Sequence, residues 1–488
     1  MKTAIQSVLG LVIALSVILL VRVSIFSPPT TDDVEVLSPA PASVVQRLAK
    51  SLTFSTTSGR HLNPAAFRGM QDWMRAAYPR FHAVTSVERF AEHSLLFTWP
   101  GRDSSLRPIL FLAHQDVVPI EEGTETDWTH PPFAGVVAPC EDEAGQCVWG
   151  RGAIDMKAAL IGLLEGAESL AASGWQPERT LLFAFGHDEE VGGVGAQEMA
   201  RALEKRNVRP SWVLDEGLLV TQGITPGITQ PVAYIGVAEK GYLSLELVAL
   251  GEGGHSSMPP PSTAVGRLSR AVARLEADPF PAKMDGLSAA MFERVGPHMP
   301  FGLRLAFANQ WLLGSVILDK LTAKPSTNAT VRTTQAVTMF SGSLQDNILP
   351  QRARAVVNYR IHPRDSISTV ISRVRRVIDD DGVTVKPITS GLMSEPSKIA
   401  DVDGVGFAAI TRSIRSVFPS AIVAPGLFIA ATDSRHYSGI VDDIYRFHPI
   451  LMRPADGKRI HGTNERIRSD NFRQAVRFYE TLLKEGAR

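Results

Sequence analysis

The chain has 488 residues, 44% hydrophobic and 20% charged, with 50 basic residues balanced by 50 acidic ones. That length exceeds what one hydrophobic core usually organises, so two domains, or one domain with a large insertion, are expected. The charge balance supplies no overall field for nucleic acid or acidic membranes, and no nucleic-acid partner is expected; partners must be argued from sites.

The N-terminus comes first. IQSVLGLVIALSVILLV is apolar between Lys2 and Arg22, about the minimum span of a hydrocarbon core, and no A-x-A-like cleavage site follows it. Residues 1–28 read as an uncleaved signal anchor and the start of a linker, with a cleaved secretory signal as the runner-up. A buried helix of the body fits less well, because the stretch is terminal and runs into FSPPTTDDVEVLSPAPAS. Either favoured reading puts the body outside the cytosol: anchored to a membrane, secreted, periplasmic or in a vacuolar lumen.

Next, AAFRGMQDWMRAAYP has apolar residues at helical spacing, and SLLFTWPG and PILFLAHQD read as strands. Cys140 and Cys147 are the two cysteines, in CEDEAGQC. Their Gly- and acid-rich spacer suggests a hairpin tip clipped by a disulfide, suited to an oxidising compartment, with two free thiols as the alternative. MKAALIGLLEGAESLAASG, RTLLFAFGHDEE, GAQEMARALEKRN and PSWVLDEG then alternate helix, strand, helix and strand. This argues for an α/β fold on a largely parallel sheet, with ligand sites beyond the carboxyl ends of its strands.

Near Lys240 the texture changes. YLSLELVALG alternates as a half-buried antiparallel strand, and an amphipathic helix follows GGHSSMPPP. After a less legible stretch to about Pro325 come two strand-like runs, ATVRTTQAVTMFSG and RARAVVNYRIHP, and the helix DSISTVISRVRRVIDD. Parallel-sheet patterning resumes with AIVAPGLFIAATDSRHY, and NFRQAVRFYETLLKEG closes the chain as a helix. The expected division is a catalytic body of 29–239 and 396–488, with an inserted α+β lid or dimerisation domain over 240–395.

Three strand ends of the body carry chemistry. PILFLA ends in His114, Gln115 and Asp116; TLLFAF ends in GHDEE; WVL ends in Asp215 and Glu216. Between them GRGAIDMK places Asp155 at a Gly-flanked turn before a helix. Each alone is an ordinary solvated terminus. Together they offer His, Asp and Glu ligands converging on one rim, as a zinc ion needs. Asp116 lies close enough in sequence to fix the His114 tautomer. Adjacent Glu189 and Glu190 would repel if both were buried, unless a metal neutralises one and leaves the other to handle a proton. The arrangement points to a two-metal hydrolase.

HQD, GRGAIDMKAAL, GHDEEVGG, LDEG, GGHSSMP and IHGTNERI, in this order over most of residues 70 to 485, resemble the zinc-dependent peptidase family M20, which contains glutamate carboxypeptidase, aminoacylase and vacuolar carboxypeptidase S. The leading apolar segment, LLGSVILDKLTAKPSTNATVRTT and IHGTNERI resemble the branch of carboxypeptidase S and the secreted N-fatty-acyl-amino-acid hydrolase/synthase. The resemblance implies two Zn2+ per subunit, with Co2+ or Mn2+ as substitutes. Asp155 would bridge them, with His114 and Asp215 on one and Glu190 and His461 on the other. It also implies Glu189 as general base, Asp116 orienting His114, and a cis peptide after Asp155. Strand alternation sends Asp215 and Glu216 in different directions, and the motif selects Asp215. From the second domain the resemblance implies His255 as an oxyanion donor, in some relatives from the partner subunit of a homodimer. It implies Asn347 and Arg360 as contacts for substrate carbonyl and carboxylate. Arg435 in ATDSRHY is a further substrate-binding candidate. The expected reaction is metal-dependent hydrolysis of an amide next to a free carboxylate, in an N-acyl or fatty-acyl amino acid or at a peptide C-terminus. A broad-specificity di- or tripeptidase is the alternative within enzymes. A non-catalytic exported binding protein is the alternative outside them, and it would be expected to lack part of the ligand set.

Overall fold

The structure is a computed structural model, described over residues 2–29, 34–141, 144–390 and 392–488. The first helix, Lys2–Ile25, is apolar over Thr3–Ile25. Residues 3–18 are exposed along it, and the body covers only Leu19, Val23 and Phe26 near its end. The segment that follows is stitched to the body: Leu37 donates to the Ser416 carbonyl, and Arg477 reaches Ser38.

The large sheet has eight strands. Its spatial order is Ser86–Phe90, Ser94–Trp99, Leu181–Gly186, Ile109–His114, Val213–Thr221, Ile444–Met452, Val232–Glu239, Ile422–Phe428. The third to sixth strands are mutually parallel, and so are the last two. Strand ILFLAH and strand LLFAFG are buried at every position, the pattern of a sheet covered on both faces. One face lies under the helix Lys157–Ala172, which is itself nearly all buried because the C-terminal helix Ser469–Gly486 covers its far side. A β-carbon at Gly166 would sit 2.8 Å from the Glu480 backbone nitrogen, so the close approach of these two helices requires glycine there. The other face carries the helix Val194–Lys205.

A second sheet begins directly after Lys240. Its order is Thr334–Ser341, Arg352–Ile361, Gly241–Leu250, Val383–Pro387, antiparallel throughout. The first residue after the junction starts the strand GYLSLELVAL, whose inward leucines Leu243, Leu245 and Leu247 pack against the helices Ala264–Ala277 and Ile367–Ile378. Sheet and helices together form an α+β unit. Residues 286–331 form short helices whose apolar side chains, Phe292, Val295, Phe307 and Ile317, pack on Ile422, Ala424 and Val232 of the large sheet's edge. Proline and glycine at 296, 297, 300, 302, 314 and 325 break this stretch into short pieces, which hides its helical period.

The cysteines close a hairpin. Val136–Pro139 pairs with Gln146–Trp149, and Cys140 and Cys147 are bonded at a Cα separation of 5.2 Å. Arg466–Arg468 adds a third strand, tying this hairpin to the segment that carries His461. The tight helix crossing at Gly166 yields a first test. Gly166→Val should lower stability by about 1–3 kcal/mol through overpacking, read as a reduced thermal unfolding midpoint.

Candidate metal centre

The parallel strands deliver their carboxyl ends to one rim, and the polar groups gather there. His114 ends its strand and is 1% exposed. Its Nε2 lies 3.0 Å from Asp155 Oδ1 and 3.5 Å from Glu216 Oε1, while Nδ1 contacts the Asp116 carbonyl at 3.0 Å. Asp155 sits on the turn before the helix Lys157–Ala172, and its peptide bond to Met156 is cis, as expected. Its other oxygen, Oδ2, lies 3.1 Å from His461 Nε2, which is also 3.2 Å from Glu190 Oε1. Two ligand sets therefore share one carboxylate: His114, Asp155 and Glu216, and Asp155, Glu190 and His461, each with donor atoms within 4.8 Å of one another.

Here the structure differs from the sequence reading at one position. Asp215 does not face the cluster: its oxygens accept from the backbone amides of Glu216 and Ser434, each at 2.8 Å. Glu216 takes the place expected of Asp215. The cause is a bulge. Asp215 pairs with Arg446 and Leu218 with the next residue, Phe447, so Glu216 and Gly217 have no partner on that strand. Extra residues of this kind bend a strand and re-aim its side chains.

Asp116 does more than face His114. It accepts from the Ser58 hydroxyl and from the backbone amides of both Glu189 and Glu190, holding the GHDEE turn against the His114 strand. Asp188 accepts from the amides of Val194 and Gly195 at the start of the next helix, where an anion is favoured. His187 pairs with the Ser94 hydroxyl. Arg435 donates to the carbonyls of Thr432 and Gly192 and so ties its own loop to the end of the same turn.

Two residues of the site carry no role in the sequence reading. Glu465 is fully buried, and its carboxylate accepts from the backbone amides of Gly152, Ile154 and Asp155 and from Arg151. Arg151 in turn donates to the carbonyls of His461 and Gly462. This pair locks the Asp155 loop to the His461 loop across about three hundred residues of sequence. Both sit inside quoted motifs, GRGAIDMK and IHGTNERI, but nothing in their spacing tells a supporting residue from a ligand.

The electrostatics test whether the cluster fits cations. Burial alone would lower the His114 pKa, yet the carboxylates of Glu216, Asp116 and Asp155 outweigh it and hold the imidazole well above its ordinary value. Burial, then the charge of Asp155, pushes Glu216 up to about 8. Contacts with Asp155 and Glu190 raise His461 to about 10. Burial, then Glu216, drives Glu189 well above the usual carboxylate range. Acids and imidazoles crowded in this way bind protons and cations in competition, and cations among the acids reverse these shifts. Glu190 Oε1 is buried and faces His461 Nε2 at 3.2 Å, so a cation between them would meet both donors. Nitrogen and carboxylate donors of this kind suit zinc, cobalt and manganese.

The second-domain candidates fall at two ends of the second sheet, His255 and Asn347 on a ribbon beyond its Leu250–Arg352 end and Arg360 opposite Tyr242 at the other end. His255 pairs with Ile348 on a two-residue ribbon, and its Nδ1 accepts from Ser257. Asn347 adjoins that ribbon, its carbonyl accepting from Ser256. Arg360 stacks its guanidinium 4.6 Å over the Tyr242 ring. Among the described residues, none of the three hydrogen-bonds to the ligand sets.

Comparison with known proteins places this geometry. The model of Peptidase family M20/M25/M40 matches residues 110–485. A probable carboxypeptidase S-like 2 of Dictyostelium discoideum is 36% identical over 471 residues, covering 95% of this chain and 88% of that protein. An N-fatty-acyl-amino acid synthase/hydrolase of Danio rerio is 38% identical over 417 residues, covering 85% and 79%. Among solved structures, an M20 family metallo-carboxypeptidase from Sulfolobus solfataricus superposes with a TM-score of 0.62 at 18% identity, covering 91% of this chain and 99% of that one. With the family model matching residues 110–485 and relatives more than 30% identical over most of the chain, the chain belongs to Peptidase family M20/M25/M40.

Proposed function

We propose that the protein is a dinuclear metallohydrolase that cleaves an amide next to a free carboxylate, with N-acyl amino acids, including fatty-acyl ones, as its substrate class. The observation that carries the reading is the pair of ligand sets sharing Asp155, with Glu189 beside them. His114, Asp155 and Glu216 would hold one zinc ion and Asp155, Glu190 and His461 the other. When bound, the ions supply Lewis acidity toward the amide carbonyl and acidify water. Glu189, ionised once the neighbouring acids are neutralised, accepts the proton of the attacking water and returns it to the departing amine. Asp116 keeps the His114 ring oriented and positions the backbone of Glu189.

His255 and Asn347, on one ribbon of the second domain, would meet the developing oxyanion and the substrate carbonyl when that domain closes over the rim, whether in one chain or across a homodimer. Arg360, its plane set by Tyr242, would take the free carboxylate in a bidentate contact. The name of one relative, an N-fatty-acyl-amino acid synthase/hydrolase, supports the acyl choice, while that of another, carboxypeptidase S, supports cleavage at a peptide C-terminus. The first helix serves as a signal anchor and places the body outside the cytosol, near amphiphilic substrates.

The substrate reading is tested by comparing an N-fatty-acyl amino acid with a dipeptide in one assay, before chelation, after it and after adding zinc. Activity on the acyl amino acid that chelator removes and zinc restores is expected; preferential cleavage of the dipeptide would favour a peptidase, and no activity on either a binding protein. Glu189→Gln should reduce kcat by about 10²–10⁴-fold while leaving metal content unchanged. Glu216→Gln should lose metal by elemental analysis, whereas Asp215→Asn should retain it. Because the raised pKa values leave Glu216 and His461 protonated at neutral pH without metal, zinc binding should release protons. Zinc affinity should therefore climb with pH through about 8 and onward toward about 10. Calorimetry in buffers of different ionisation enthalpy measures this, and binding without proton release would contradict it.

A further inference from the structure

Beyond the first helix, a run of exposed apolar side chains lies on the bent helix pair Phe301–Ala308 and Gln310–Thr322. Phe301, Trp311 and Val316 are 54%, 57% and 54% exposed, with Leu303 and Leu312 beside them. Over residues 301–318 the single charged residue is Arg304. The inner faces of these helices have an evident role, since Phe307 and Ile317 pack on the edge of the large sheet. The outer faces have none in the folded chain.

The position of the pair supplies the reason. Its bend is fastened to the end of the first helix: Asn309 Nδ2 donates to the Leu19 carbonyl at 3.2 Å, and Arg22 Nε donates to the Ala308 carbonyl at 3.0 Å. Phe26, one turn on, packs against Gly296 beside the pair. The exposed apolar faces thus continue the bare apolar surface of residues 3–18 at the level where that helix leaves a bilayer. The two arms have 8 and 13 residues and meet at 117°, so neither spans a hydrocarbon core of about 30 Å. Short apolar arms that end in Asp319 and Lys320 and carry an exposed tryptophan have the composition of elements that lie in the interface plane.

We infer that the helix pair 301–322 is a second, monotopic membrane contact that inserts Phe301, Leu303, Trp311, Leu312 and Val316 into the acyl–headgroup boundary of the bilayer spanned by the first helix. It rests on the reading of that helix as a membrane anchor. The body is then held at two places, and the junction at Leu19, Arg22 and Asn309 sets its orientation rather than leaving it on a loose tether.

Both native cysteines are bonded to each other, so one introduced thiol can be labelled alone. The full chain would carry an environment-sensitive fluorophore at Val12→Cys, Leu312→Cys or Glu204→Cys, in phosphatidylcholine vesicles with or without bromine near the top of the acyl chains. The expected result is a blue shift on reconstitution and loss of emission on brominated lipid at positions 12 and 312, with neither at 204. Quenching at 12 with none at 312 beyond that at 204 would overturn the second contact and leave the anchor standing. No quenching at 12 would remove the anchor reading, and this inference with it.

Discussion

Carboxylates crowded at one rim of a parallel sheet are the constraint around which the body is arranged. Asp116, Asp155, Glu189, Glu190, Asp215, Glu216 and Glu465 approach one another in a place where water is scarce, and like charges so placed cannot all ionise unaided. The fold resolves this by dividing them. Asp116, Asp215 and Glu465 are turned onto backbone amides, where a negative charge is satisfied by fixed donors. Asp155, Glu190 and Glu216 face one another and two imidazoles. The first group builds the loops, and the second is left needing cations.

This division explains how far the sequence could be read. The strand and helix periods and the gathering of His114, the GHDEE turn and Asp155 near one rim were visible, because burial on a covered parallel sheet leaves continuous apolar runs whose ends are marked by polar residues; Glu190 and His461 as ligands followed only from the resemblance. The choice between Asp215 and Glu216 was not visible. A bulge depends on how Arg446 and Phe447, more than two hundred residues away, register against the strand, and no local pattern encodes that. The Arg151–Glu465 pair was hidden for the same reason, since a side chain that supports a loop is chemically indistinguishable in sequence from one that binds an ion. Arg435, a substrate-binding candidate in sequence, also links its own loop at Thr432 to Gly192 beyond the GHDEE turn, a contact that no local pattern encodes.

The second domain shows the opposite balance. Its strands and helices were legible from alternation, yet its relation to the chemistry was not, because His255, Asn347 and Arg360 stand on elements separate from the rim. Lys240 is buried at the strand junction, its ammonium held by the carbonyls of Ala329 and Arg332, so the junction is tied to the short helices on the sheet edge as well as to both sheets.

The Arg151–Glu465 lock also sets an order of events in biosynthesis. A nascent chain that has emerged through Met452 already contains all eight strands of the large sheet, yet it lacks both His461 and the carboxylate that organises the Asp155 loop. The acids of the rim therefore pass through a stage in which they are assembled without their full complement of partners. Completion of the centre coincides with docking of the last helix, so a chain cut short by a few dozen residues would lose the site while keeping most of the sheet.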